Sequence, residues 1–204
     1  MKYVLVNYNF TPNWVKDLDY LIYDRSDDYT YLKGFDQDKI IYTKNLGNVD
    51  CDRLGYLVDN YDNLPSVFLW SKSNLFKYIT KEEFDVINDN KEFTPLLTQK
   101  HRIYSNEQGV VCYYKDNMYY EVNNGWYLQS FPARCGSFEA WAKMFNLPNP
   151  DYIPFAPGGN YILTKEVIHK HPKELYVNMR DTLDYTVLPG EAQLCERSYF
   201  LLWS

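Results

Sequence analysis

Four short apolar runs and one helical-period segment share the first 70 residues, and their order already demands a layered α/β fold. The runs are 3–8 (YVLVNY), 19–24 (DYLIYD), 39–43 (KIIYT) and 66–70 (SVFLW). Each is bounded by polar turn residues and carries β-branched or aromatic side chains, as buried strands do. Between the third and fourth, Leu54, Leu57, Val58 and Tyr61 recur at the spacing of one helix face, which predicts a helix over 52–61. Asp50 or Asp52 is placed to cap it by accepting its first amide hydrogens. Trp14, Val15 and Leu18 add a short helical turn between the first two strands. Strands that alternate with helices build a mostly parallel sheet covered on both faces, and ligands gather at the carboxyl ends of its strands. The loops at those ends are NYNFTPNW, DRSDDYT, KNLGNVD and SKSN.

The remainder keeps the α/β character. Thr80 and Glu83 form a capping-box pattern ahead of a helix at 80–89. Short aromatic strands over 100–130, with turns at NEQG, KDN and NNG, read as a small antiparallel meander. Ser137 caps a helix at 137–146, and 147–159 (LPNPDYIPFAPGG) reads as a Pro-rich loop. A strand at 160–164 follows, then Thr164 caps a helix from about Lys165 to about Leu183 that Pro172 divides. A last helix covers 191–203. No repeat, low-complexity segment or long linker interrupts the chain, so 1–204 is expected to be a single domain.

Charge narrows the function classes. The chain carries 27 acidic and 21 basic residues, a net charge of −6, which argues against a broad phosphate-gripping surface for nucleic acid. The 21 tyrosines suit half-buried strand positions and the walls of ligand sites. No apolar stretch approaches the roughly 18 residues of a membrane helix, and MKYVLVNYNF reads as a first strand rather than a signal peptide. Cys51, Cys112, Cys135 and Cys195 are widely spaced and form no paired metal motif, so free thiols in a soluble, cytoplasmic protein are expected.

The residues that carry chemistry are mostly carboxylates. His169 and His171 are two apart, on different sides of a helix, where they read as a solvated face rather than a chelate. No Ser-His-Asp arrangement and no P-loop is present in the sequence. Asp24, Asp27 and Asp28 follow the second strand and are placed to accept hydrogen bonds from a base or ribose, or to form a simple polar turn. The NLGNVD loop precedes a helix, whose amino end favours a diphosphate. Asp50 and Asp52 have an acid-x-acid spacing open to Mg²⁺ or Mn²⁺ or explained by capping. Gly158 and Gly159 permit close approach of a ligand.

Taken together, NLGNVDCDRLGYLVDNYDNLPSVFLW resembles the core signature of a largely uncharacterised GT-A-like glycosyltransferase family. The residues that carry the likeness are Asn45, Gly47, Tyr56, Leu57, Asn60, Tyr61, Asp62, Leu64, Pro65 and Val67 to Leu69. Later blocks match at Ala156 to Gly159, Pro172, Tyr176, Glu196 and Arg197. The resemblance implies a GT-A-like (Rossmann-like), mostly parallel sheet flanked by helices, with a small antiparallel β insertion. It also implies transfer of a sugar from a nucleotide-diphosphate donor to an acceptor hydroxyl of a glycan, a protein or modified nucleic acid.

On that reading Tyr8, Asn9 and Asp24 hold the nucleoside. Asn45, Gly47, Asn48 and Lys72 hold the diphosphate, and Gly158 and Gly159 shape the sugar and acceptor region. Glu191 and Glu196 are the candidate bases. One departure stands out: Ser71-Lys72-Ser73 occupies the place of the usual Asp-x-Asp. Either Mg²⁺ or Mn²⁺ sits on other residues, with Asp50 and Asp52 as candidates, or Lys72 supplies the positive charge. Two alternatives accompany this reading. One is a non-catalytic nucleotide- or glycan-binding protein on the same fold. The other is a transferase acting on modified nucleic acid through a basic strip of Lys72, Lys77, Lys100, His101 and Arg102.

Overall fold

The structure is a computed structural model that describes residues 1–97, 104–106, 109–115 and 118–204. In chain order, β1 (Lys2–Asn7), β2 (Tyr20–Asp24) and β3 (Ile40–Tyr42) precede α1 (Asn48–Asn60) and β4 (Val67–Lys72). Then come α2 (Lys81–Ile87), β5 (Thr94–Pro95), β6 (Tyr104–Asn106), β7 (Gly109–Lys115) and β8 (Met118–Val122). The last part holds α3 (Phe138–Phe145), β9 (Tyr152–Phe155), β10 (Tyr161–Thr164), α4 (Lys165–Ile168), α5 (Lys173–Asp181) and α6 (Gly190–Trp203).

Six strands form the main sheet in the order β3-β2-β1-β4-β10-β5. The first four are mutually parallel; β10 pairs antiparallel with β4, and β5 pairs antiparallel with β10 and so runs with the first four. Strand faces alternate, so Val4 and Val6 enter one core and Leu5 the other. The first core joins β1 and β4 to α1, α5 and α6 through Leu54, Leu57, Tyr176 and Tyr199. Trp70 meets Tyr199 and Trp203 there at ring distances of 4.8 and 5.0 Å. The second core packs Leu5, Leu69 and Ile162 against Val15, Leu32 and Phe84. Burial on both faces is why these strands read as unbroken apolar runs.

A second, antiparallel sheet has the order β6-β7-β8-β9. Its last strand lies inside the segment expected to be a Pro-rich loop. Ile153 and Phe155 alternate into the core, and Pro154 is tolerated because β9 is a sheet edge. The expected Lys100, His101 and Arg102 strip and parts of the NEQG and KDN turns lie outside the described residues.

Local signals set the other ends. Thr80 and Glu83 form the capping box of α2, Ser137 accepts from Ala140 N at 3.1 Å, and Pro172 separates α4 from α5. The start of α1 differs from expectation. Gly47, at φ +71°, occupies the cap position, and the Asn48 carboxamide accepts from Val49 N at 2.8 Å. Asp50 and Asp52 are therefore not caps; both side chains are buried. The expected turn near Trp14 is a 3-10 turn at Asn13–Val15. His169, which is exposed as expected, and half-buried His171 follow the end of α4 and donate from Nε2 to the carbonyls of Tyr61 and Leu202, each at 2.8 Å.

Candidate functional site

The chain runs from β1 outward to β2 and β3, then returns to β4 on the other side of β1. Strand order thus reverses between β1 and β4, which are paired with Val6 opposite Lys72. A crevice outside the carboxyl ends of two such strands is where open α/β sheets bind ligands. Here it is a cleft of about 340 Å³. Tyr8 and Phe10 from the loop after β1 line it on one side; Lys72 at the end of β4, Ser73 and Asn74 after it, and Tyr78 form the floor. Asn45, Asn48 and Val49 at the start of α1, Arg25 after β2, and Val187 and Leu188 before α6 complete it. Two of these residues are cationic and none is acidic, in a chain whose net charge is −6.

The two cations differ. Arg25 is buried, donates from Nε to Asn45 Oδ1 at 3.2 Å and from Nη2 to the Leu46 carbonyl, and stands 3.6 Å from Asp52. Its Nη1 is the atom that faces Asp52; neither it nor the Oγ of buried Ser73 makes a hydrogen bond, and both are closed off from solvent. Lys72 Nζ reaches the Tyr78 hydroxyl at 3.4 Å and lies 5.3 Å from the centre of that ring. Among the described residues no carboxylate stands within ion-pair distance of it.

Beneath the floor lies a buried polar network. Arg53, fully buried, donates to the Gly158 carbonyl at 3.0 Å and to Asn160 Oδ1 at 3.1 Å. It pairs with Asp50 at 3.6 Å, and Asp50 accepts from the Tyr199 hydroxyl at 2.7 Å. Asn160 Oδ1 also accepts from Lys72 N at 2.9 Å, which ties the network to the end of β4. Four distant segments thus converge to hold the backbone from which Lys72 projects.

Of the residues singled out from sequence, the structure brings Tyr8, Asn45, Asn48 and Lys72 to the cleft. Asn9, at φ +48°, sits beside it and receives Asp27 N on its side chain. Asp24 is enclosed instead, its Oδ1 accepting from Asn7 and Ser26, so it shapes the strand ends and does not line the cleft. The Gly47 and Asn48 amides do not face a ligand, because they donate to the Thr186 and Val187 carbonyls at 2.7 and 2.9 Å. Gly158 packs on Tyr78 and Gly159 on Arg53, so this glycine pair makes room for side chains of the protein itself.

The acids divide in the same way. Asp50 and Asp52, two apart on a helix, point to opposite sides, one to Arg53 and the other to Arg25. A carboxylate pair split between two arginines does not offer a divalent cation a shared seat. Among the described residues no three His, Cys, Asp or Glu side chains gather for one. Glu191 is buried, accepting from Arg134 N at 2.5 Å and the Tyr185 hydroxyl at 2.6 Å, which leaves no oxygen for a substrate. Glu196 is half-buried and accepts from Gly158 N at 2.7 Å.

Sequence reasoning did not find Arg25, Ser73, Asn74, Tyr78, Val187 or Leu188. Arg25 and Ser73 each follow a strand end directly, and that position was the available signal. Val187 and Leu188 carried none, because only the return of the chain before α6 places them there.

Burial pushes the Asp52 carboxyl up to about 6 from its ordinary 3.8, against the pull of Arg25. Its folded-state value is thus above the unfolded one, so its contribution to stability is complete below about pH 4 and lost as the pH rises through about 6. The loss is about 3 kcal/mol. Burial raises Asp50 as well, so the comparison is made with a variant. Unfolding by urea at about pH 4 and about pH 7 is expected to show a smaller fall in Asp52→Asn than in the natural chain, by that amount. Parallel profiles would contradict it.

These features define an α/β protein with a cleft at the switch point of a mostly parallel sheet, lined by Lys72 and Arg25 and by no carboxylate. A family model described as "Protein of unknown function (DUF3431)" matches residues 7–203, and the chain belongs to that family. No curated protein and no solved structure matches the chain. All four cysteines are unpaired, and among the described residues no helix is long and apolar enough to cross a membrane.

Proposed function

We propose that this protein is a GT-A-like glycosyltransferase that binds a nucleoside diphosphate-sugar in the β1–β4 cleft and transfers the sugar to an acceptor hydroxyl. One observation carries the reading: the switch-point cleft is lined by Lys72 and Arg25 and by no carboxylate. An anion placed there meets the Lys72 ammonium, while the buried Arg25 guanidinium, paired with Asp52, stands behind the cleft wall. The carboxamides of Asn45, Asn48 and Asn74 are suited to ribose and base edges.

In the proposed reaction the acceptor oxygen bonds to the anomeric carbon as the bond to the diphosphate oxygen breaks. The acceptor proton passes to a carboxylate, for which Glu196 remains the candidate once Glu191 is set aside. Lys72 compensates the charge that develops on the departing diphosphate. A Lys does this without the Asp-x-Asp pattern, so donor binding is expected to persist in a chelator.

Lys72→Ala is expected to weaken binding of uridine, guanosine, cytidine or adenosine diphosphate by roughly 10- to 100-fold, the worth of a hydrogen bond to a charged group. Isothermal titration measures it. The reading fails if none of the four binds, or if Lys72→Ala binds as tightly as the natural chain.

A second reading, a nucleotide- or glycan-binding protein without turnover, is favoured by the absence of any carboxylate from the cleft lining. Donor binding with no hydrolysis or transfer, unchanged in Glu196→Gln, supports that reading over the first.

A further inference from the structure

The segment between α5 and α6 is held at several points by burial, hydrogen bonds and ring contact. Leu183 is fully buried at one end. Two residues on, the Tyr185 hydroxyl donates to Glu191 in the first turn of α6, Arg134 N donates to the same carboxylate, and the Arg134 guanidinium lies 3.4 Å from the centre of the Tyr185 ring. Directly after Tyr185, the Thr186 and Val187 carbonyls accept the Gly47 and Asn48 amides. Yet the two side chains this scaffold presents, Val187 and Leu188, are 44% and 47% exposed. Both line the cleft, as do Tyr8 and Phe10, themselves 48% and 39% exposed. A surface position normally favours a polar side chain, and a rigidly held apolar pair beside a cationic floor instead matches a ligand with an apolar part next to its anion.

We infer that residues 184–189 form a fixed wall that reads the uncharged, planar ring of the cleft's anionic ligand, with Val187 and Leu188 as specificity-determining side chains and Glu191 as the positioning residue that sets them. The inference rests on the nucleotide-binding reading of the cleft and deepens it, by naming the side chains that select the nucleoside ring. Glu191 acts through Tyr185 and the backbone of Arg134, and it does not touch the ligand.

The test compares inorganic pyrophosphate with the four nucleoside diphosphates by isothermal titration. Val187 and Leu188 are exposed, so changing both to Ser leaves the cores intact. The double variant is expected to lose about tenfold in affinity for the preferred nucleoside diphosphate and less than about twofold for pyrophosphate. Tyr185→Phe and Glu191→Gln are expected to shift the same ratio by about threefold, through misplacement of the wall. A purely structural role for Glu191 would lower thermal stability and leave that ratio unchanged. If the natural chain binds neither probe class, the anion reading falls and this inference with it. If pyrophosphate binds as tightly as the nucleoside diphosphates, or the double Ser variant keeps the natural ratio, the wall alone is overturned.

Discussion

Replacing Arg53 by Met is expected to destabilise the protein by about 3–5 kcal/mol and to lower its thermal midpoint by roughly 10 °C. The guanidinium is fully buried, and its partners are the Gly158 carbonyl, Asn160 Oδ1 and Asp50. It also lies 5.2 Å from the centre of the Trp70 ring. Methionine fills much of the volume but leaves the Asp50 charge in the interior, held only by the Tyr199 hydroxyl. Breaking one side of a buried pair costs more than the pair itself contributes, since the remaining charge is desolvated without compensation. The double change Asp50→Asn with Arg53→Met is therefore expected to recover at least about half of the loss. Denaturant unfolding measures both. A loss under about 1 kcal/mol for Arg53→Met would show that the network adds nothing to stability. Because Asn160 also receives Lys72 N, Arg53→Met is expected to weaken nucleotide binding along with stability.

Gly190→Ala is expected to cost about 3 kcal/mol or more. Gly190 opens α6, and a Cβ there would stand 2.3 Å from Ala133 N and from the Phe131 carbonyl, and 2.5 Å from the Pro132 carbonyl carbon. These are backbone atoms, so no side chain can rotate away; the helix or the 131–133 segment has to shift. That shift would loosen the Glu191 contact with Arg134 N and the wall it anchors. Gly55 is the matched control. It lies inside α1 with nothing within 4 Å of its would-be Cβ, so Gly55→Ala is expected to stabilise by about 0.5–1 kcal/mol through helix propensity. Thermal or urea unfolding of the two alanine variants side by side checks the sign of each. A Gly190→Ala protein as stable as the natural chain would mean that α6 docks more loosely than its contacts require.

Local chemistry in the sequence determined the elements. Strand runs, the period of α1, the Thr80–Glu83 capping box, the Ser137 cap and the break at Pro172 depend on residues within one or two turns of each other, so a linear reading finds them. It also pointed to the mostly parallel sheet, because connections of a dozen or more residues between short apolar runs allow parallel pairing where tight hairpins would not. What it left open was which polar side chains face solvent. Asp24, Asp50, Asp52 and Glu191 read as ligands because a carboxylate is normally exposed. Each proves to be buried beside a partner that makes burial tolerable: Asn7 and Ser26, Arg53 and Tyr199, Arg25, and Tyr185. Tyr199 is 149 residues from Asp50, and no local pattern announces such a pairing. Only tertiary structure decides it, since the cost of burying a charge depends on what else arrives at the same point. The same return of the chain brings Val187 and Leu188 across from Tyr8, leaving Lys72 as the one strand-end cation free to meet a ligand among the described residues.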